Sequence, residues 1–308
     1  ISINGIESNG VIYSDVKEKS ISPNNTINGY SLSKFTTDAD LLYDNKGIIR
    51  VDTGYKRGKL LSKELYKESS PGNYLLINKS TNEYTEDNRK TTYVKGFKLF
   101  QHSFLSGSLL NNTLPTPLDA IFEPVGYSIP VHWFYQKSSE TTDYFYNSSN
   151  VLTGSVVNKT NYFYDNPNHL QLTRKETTNS NNETLVTKYL YPDDLIALPL
   201  MSSLKTQNRV GEIIKTETLK NTTAISTKNT IYKDWGNNII APEIIQSSKG
   251  SESLENRVRY TILDNTNGNP IELQQEAGTK IIYIWGYNKS QPVVKIENAT
   301  YASITPSL

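Results

Sequence analysis

Three histidines, His102, His132 and His169, are the side chains best suited to acid–base work near neutral pH. They lie far apart in the chain, and neither an HExxH helix nor a GxSxG elbow accompanies any of them. A triad or metal site would have to assemble from distant segments. Their local contexts suggest simpler roles: His169 follows an Asn-Pro-Asn turn, and His132 adjoins Trp133 in an expected strand. Structural or surface positions are therefore the expectation for all three. Asp193-Asp194 supplies an acidic pair, but one pair lacks the several oxygen ligands of a calcium loop, and capping a helix start is the better use of it. With no cysteine, disulfides, thiolate zinc sites and cysteine nucleophiles are excluded. The expectation is a protein that is not an enzyme, with no catalytic residue, no metal ligand and no cofactor. The competing catalytic reading is a hydrolase whose histidines and carboxylates meet only in the fold.

Aromatic residues offer a second chemistry, since their faces stack on sugar rings. Trp133, Trp235 and Trp285 are the candidates for a glycan-binding or adhesive surface. The simpler reading places Trp285 in a core and Trp235 over a sheet edge. Tyrosine outnumbers phenylalanine 21 to 8, a choice that suits strands with one wet face. Hydrophobic residues make up only 36 % of the chain, which favours wide, thin sheets over a thick apolar centre. The 32 basic and 31 acidic residues nearly cancel, and no Lys/Arg cluster marks a nucleic-acid or membrane surface. No run approaches the ~20 apolar residues of a membrane helix, so no transmembrane segment is expected. Asn-x-Ser/Thr triplets such as Asn158-Lys159-Thr160 and Asn298-Ala299-Thr300 are common in such a composition and carry little weight.

The elements that must hold these residues are mostly strands. In ENRVRYTIL (255–263), Val258, Tyr260 and Ile262 alternate with Arg257, Arg259 and Thr261, the pattern of a half-buried strand. TKIIYIWGYN (279–288) is apolar on both faces and should be covered on both. Further strands are expected at Tyr93–Phe97, Val131–Tyr135, Asp143–Tyr146, Asn161–Tyr164, Leu185–Leu190, Gly211–Leu219 and Gln291–Ile296. Gly- and Asn-rich clusters between them supply the positive φ of tight turns and favour antiparallel hairpins over crossover helices. In YPDDLIALPLMSSLKTQNRVG (191–211), Leu195, Leu198, Met201 and Leu204 approach helical spacing, which predicts one short helix within Leu195–Gln207. Asp193 or Asp194 would cap it, or Pro199 would sit in its first turn. The proline-rich stretch Ser103–Pro130 reads as an irregular crossing. These features divide the chain into residues 1–105, a junction at 106–160, and 161–308.

Tyrosine–glycine units recur through this pattern. Tyr43-Asp44…Gly47 is the first, and Tyr164-Asp165 follows without a glycine. Tyr232…Asp234…Gly236-Asn237, Tyr260…Asp264…Gly268-Asn269 and Tyr283…Trp285-Gly286 close the series. Tyr232 to Tyr260 is 28 residues and Tyr260 to Tyr283 is 23, near the lower end of repeat periods. Each unit reads as strand–turn–strand: the tyrosine packs along the strand, the aspartate accepts from turn amides, and the glycine takes the left-handed corner. Stacked units would set tyrosines beside one another as a ladder, and one unit alone would bury too little to be stable.

This succession resembles the YD repeats of Rhs-type proteins. The block NNIIAPEIIQSSKG…RVRYTILDNTNGNPIELQ…YIWGYNKSQPVVKIENATY (237–301), with NYFYDNPNHLQLTRKETTNS (161–180) and LSKELYKE…YVKGFKLF (61–100), is similar to the long Rhs/YD-like surface proteins of Flavobacterium and related Bacteroidota. The likeness spans most of 61–301. It departs where tyrosine and aspartate are adjacent in only two of five units, and where the Asp-Pro cleavage motif of many Rhs proteins is missing. The resemblance implies an all-β, many-stranded antiparallel sheet, coiled as a shell or barrel-like wall, with at most one or two short helices. It implies an exported protein at the cell surface or outside the cell, with outer-membrane export by the type IX route. Its partners would be the remainder of a longer parent chain, an enclosed toxin, or secretion and outer-membrane components. Starting at Ile1 without a leader and ending on Pro306-Ser307-Leu308, the sequence reads as part of something longer.

Overall fold

The computed structural model describes residues 13–21, 23, 27–39, 41–42, 50–51, 53–101, 122–179 and 181–304. Tyr43, Asp44, Gly47, His102 and the 103–121 part of the expected crossing lie outside them. The chain is all-β. Its strands are β1 (Asp15–Ile21), β2 (Ile27–Phe35), β3 (Leu41–Leu42), β4 (Arg50–Val51), β5 (Leu60–Ser70), β6 (Asn73–Gln101), β7 (Phe122–Tyr146) and β8 (Leu152–Phe163). They continue as β9 (Arg174–Thr178), β10 (Thr184–Leu190), β11 (Lys215–Lys220), β12 (Thr223–Asp234) and β13 (Ile240–Lys249). The last four are β14 (Glu255–Leu263), β15 (Pro270–Gln275), β16 (Lys280–Gly286) and β17 (Gln291–Glu297). Two short helices, α1 (Met201–Thr206) and α2 (Tyr301–Ile304), complete the described residues with a 3₁₀ turn at Gly54–Lys56. Fifteen strands form one sheet whose order follows the chain, broken only where β5 rather than β3 joins β2; β3 and β4 pair separately. Neighbour-to-neighbour pairing is what closely spaced turn clusters impose, because short loops can join only antiparallel strands.

Two compact units divide the chain at residues 157 and 158, inside β8. In the first, the closest-packed side chains are small and polar. Ser31 and Ser33, alternate residues of one β2 face, are buried. On the opposite β2 face Tyr30 stands across from Tyr66 of β5, and their rings stack at 4.5 Å. Tyr74 meets Tyr30 edge-on at 5.0 Å, and the Lys17 ammonium lies 3.7 Å from the Tyr30 ring centre. This tyrosine stack is made by residues outside the repeat units, not by the repeat tyrosines expected to form a ladder.

The strands expected at 93–97, 131–135 and 143–146 are pieces of two far longer ones, β6 of 29 residues and β7 of 25. Their pairing slips from Asp87↔Trp133 to Thr92↔Val131, leaving residues 88–91 opposite His132 alone. This bulge breaks the alternation that would have signalled one long strand. Residues 122–130 are strand rather than irregular crossing. Pro124 and Pro130 face Leu99 and Tyr93 across the hairpin. β8, with 12 residues, is far shorter than β7, and proline, which has no N–H to give a ladder, is placed in strands where that donor is not needed.

The second unit holds the apolar core. Met201, Leu204, Ile214 and Ile240 are buried together, with Leu195, Leu200 and Tyr232 against them. Helix α1 forms inside the expected range but starts differently. Its N-cap position is Leu200, in the left-handed region at φ 66°, with no side-chain cap. Asp193 and Asp194 are drawn elsewhere, and Pro199 precedes the helix rather than entering it. Of the expected 211–219 strand, only Lys215–Leu219 is strand, and Ile214 just before it packs with the helix. Consecutive Ile281 and Ile282 on β16 are both buried, so that strand is covered on both faces as its sequence demands.

Candidate functional site

Successive turns at one end of the second unit's strands are tied to one another. In the β12–β13 hairpin, Asp234 Oδ1 accepts from the Gly236 amide at 2.9 Å, and Gly236 takes the corner at φ 86°. The Ile239 amide closes the turn on the Gly236 carbonyl at 2.9 Å. In the β14–β15 hairpin, Asp264 Oδ1 accepts from the Thr266 amide at 2.8 Å, and Gly268 holds φ 78°. Aspartate and glycine therefore do in both turns what their residue types suggest. Asn237 and Asn269 act outside their own turns. Asn237 Nδ2 donates to the Asn265 carbonyl of the next hairpin at 2.9 Å, and Asn269 Nδ2 donates to the Lys289 carbonyl of the hairpin after that at 2.6 Å. Lys289 Nζ reaches back to Asp264 Oδ2 at 2.6 Å. That ammonium, with the Thr266 hydroxyl and amide, holds the Asp264 carboxyl down to about 2.

The same edge continues through α1. Gln207 Nε2 donates to the Asn238 carbonyl at 2.9 Å, and Lys205 pairs with Asp193. That pairing holds the Asp193 carboxyl below the ordinary aspartate range. Arg209 binds Glu212 at 3.1 Å and the Ile240 carbonyl, while Glu212 Oε2 accepts from the Tyr232 hydroxyl at 3.1 Å. Burial, then Glu212, pushes the Tyr232 phenol up to about 12. Tyr232 is thus packed along its strand with its hydroxyl satisfied at the edge. Burial likewise raises Tyr260.

Two repeat units depart from the pattern. Gly286 is not a corner: the positive φ values fall on Tyr287, Asn288 and Lys289. A Cβ at Gly286 would lie 2.7 Å from Val293 Cγ1, so the glycine clears space for the neighbouring strand. Tyr283 lies on β16, and the Trp285 indole N–H donates to the Pro270 carbonyl at 2.8 Å. After Tyr164, Asn166 rather than Asp165 organises the turn, its Oδ1 accepting from the Asn168 amide at 2.8 Å. Asp165 Oδ2 accepts from the Thr173 hydroxyl at 3.0 Å across the loop.

His169 sits behind that turn, its side chain 1 % exposed. The Gln171 amide donates to Nδ1 at 2.9 Å, which leaves the proton of the neutral ring on Nε2, 3.2 Å from Asp194 Oδ2. Asp194 Oδ2 also accepts from the Tyr191 amide at 2.9 Å, and its Oδ1 accepts from Asn166 Nδ2 at 2.7 Å. Tyr191 packs on the imidazole at 4.8 Å, and burial pushes its phenol up to about 12. Both ring nitrogens are engaged, so this dyad fixes a turn and has no lone pair directed at a substrate.

His132 belongs to the other unit. Its Nδ1 lies 3.3 Å from Glu86 Oε1 and 3.4 Å from Thr91 Oγ1, at the β6 bulge. Glu86 also accepts from Tyr55 at 2.9 Å and pairs with Lys56 at 2.5 Å, and the Lys56 contact holds its carboxyl down. The cluster clamps the 3₁₀ turn onto the long hairpin. Each described histidine thus has its own carboxylate in its own unit. Trp133 packs on Tyr135 at 4.3 Å, whereas Trp235 donates to the Ala241 carbonyl and lies under the Lys233 ammonium at 4.6 Å. Trp235 and Trp285 belong to different hairpins of that turn edge, Trp235 to β12–β13 and Trp285 to β16–β17. Among the described residues no three His, Cys, Asp or Glu side chains are grouped to hold a metal, and no helix is long and apolar enough to cross a membrane.

The turn-to-turn links through Asn237, Asn269, Gln207 and Lys289 were not anticipated from composition or motif. The signal was present in the spacing: turns about one hairpin period apart emerge at the same edge, so an Asn after the corner faces the next turn.

No family model and no curated protein matches the chain. Among solved structures it is similar to the crystal structure of TcdB2-TccC3-TEV, at 9 % identity and a TM-score of 0.16, over 92 % of this chain and 20 % of that one. The chain thus spans about a fifth of that neighbour's length. A TM-score this low carries no argument about fold or role.

Proposed function

We propose that the chain is a non-catalytic β-sheet section of a large exported Rhs/YD-like protein, serving as shell or cell-surface scaffold that encloses or presents an effector. The observation that carries this reading is the linked turn edge. There the conspicuous polar side chains of the repeat, Asp234, Asn237, Asp264 and Asn269, are spent on their own or the adjacent turn. Residues used in this way hold hairpins in register and leave no reacting group pointed at a cleft. The resemblance of 161–301 to YD repeats supplies the wall-like architecture and the exported, extracellular location. Partners on this reading are the rest of the parent chain and its cargo.

Limited proteolysis and negative-stain imaging of the parent protein test it. A protease-resistant hollow or elongated β body containing this section is the expected result. A compact globule from which the section is readily clipped would overturn the proposal.

A further inference from the structure

Beyond β17 the chain turns back across its own sheet. The Asn298 amide donates to the Lys280 carbonyl at 2.9 Å, and α2 follows, its start closed by the Ser303 hydroxyl on the Thr300 carbonyl at 2.6 Å. The Tyr301 amide then reaches Glu272 Oε2 at 2.7 Å. Glu272 lies in the middle of β15 with its side chain 4 % exposed. Its Oε1 accepts from Lys280 Nζ and from the Thr261 hydroxyl, each at 2.8 Å. Strand register aligns Ile262, Glu272, Ile282 and Ile296 on one face, and Ile282 is fully buried.

We propose that Asn298–Ile304 is a latched cover over this isoleucine stripe, with Glu272 as the latch. A buried carboxylate needs donors on both oxygens, and one oxygen is served by the cover itself. Breaking that contact leaves the carboxylate short of a donor and frees the segment together. Glu272 acts as a positioning residue. Burial pushes its carboxyl up, but Lys280, the Tyr301 amide and Thr261 together hold it below the ordinary glutamate range. The latch is therefore closed at neutral pH and is lost as pH falls through that depressed value. Of the other charged groups on the packed elements, Arg259 of β14 stands opposite Gln274, further along the same face. Lys295 and Glu297 of β17 pair with each other on the opposite face.

Hydrogen exchange read by mass spectrometry on the whole chain tests this. Glu272→Gln should speed exchange in the 298–304 peptide roughly ten-fold or more, the range for losing a hydrogen bond to a charged group, while β10 and β11 stay protected. Tyr301→Pro is the second variant. Proline is tolerated at a first helical position and removes the latching N–H without touching the carboxylate. It should open the same peptide, so the test survives if Glu272→Gln fails to fold. In the wild type, protection of this peptide, referenced to the unfolded chain at each pH, should fall on acidification before that of β10 and β11. The pH step should vanish in Glu272→Gln. A 298–304 peptide already unprotected in the wild type, or unchanged in both variants, would overturn the proposal.

Discussion

Replacing Asp194 with asparagine tests whether the His169 dyad is structural. The carboxylate takes three donors: Asn166 Nδ2, His169 Nε2–H and the Tyr191 amide. An asparagine can present its oxygen to only one side. Its least costly orientation keeps the oxygen on His169 and Tyr191 and turns its NH₂ toward Asn166. Asn166 cannot flip to match, because its oxygen already accepts from Asn168. His169 cannot shift its proton, because Nδ1 accepts from Gln171. The change therefore removes one hydrogen bond to a charged group, worth about 1.5–3 kcal/mol, and weakens two more to neutral strength. About 3–5 kcal/mol is expected in total, or roughly 6–20 °C in the melting of a 150-residue unit at about 2–4 °C per kcal/mol. Asp193→Asn is the matched control. Its partner Lys205 is half exposed, and such pairs contribute about 1 kcal/mol or less. Calorimetry or circular dichroism on both variants decides the matter. Equal, small losses would refute the assignment and return His169 to the list of groups available for chemistry.

Three further outcomes follow from the turn edge. Gly286→Ala should cost about 1–3 kcal/mol through the clash with Val293, and adding Val293→Ala should recover most of it in a double-mutant cycle, whereas additive losses would count against a steric cause. Asn237→Ala and Asn269→Ala should each cost about 0.5–1 kcal/mol by denaturant titration, because the abandoned carbonyls remain open to water; no loss from either would mean the turns are held by their own backbones. Asp264, folded at about 2 against an ordinary 3.8, adds stability that is complete above about pH 4 and fades as pH falls toward 2. Carboxyl chemical shifts should give that low midpoint and Lys289→Met should raise it; a midpoint near 3.8 in the wild type would contradict the contact.

Much of the second unit was legible because its strands are short and its turns chemically marked. Val258, Tyr260 and Ile262 announce β14, and Gly236 and Gly268 mark corners at which a side chain would be strained. The β6–β7 hairpin was illegible as a single element because residues 88–91 break its alternation, and because Pro124 and Pro130 signal a loop rather than a strand. Gly286 looked like another corner, since a glycine that clears space for Val293 cannot be told from one that bends the chain. Glu272 was missed for a related reason. Between Ile271 and Leu273 it reads as a solvent-facing residue, and the Tyr301 amide that meets its carboxylate comes from 29 residues further on. His169 was expected behind the Asn-Pro-Asn turn and is found there, but its partner Asp194 was expected at a helix start, since both roles require a short acidic side chain beside a turn.

The strand order carries a consequence for how the protein is made. Apart from the step from β2 to β5, each strand of the large sheet pairs with the one just synthesised. Closing each hairpin then costs only short-loop entropy and waits for nothing downstream. A chain built this way can assemble vectorially, adding one hairpin at a time to a growing edge as it leaves a ribosome or a narrow export channel. In the last hairpins, the turns after β14 and β16 are each tied to the preceding turn at that edge by an asparagine already in place, Asn237 and then Asn269.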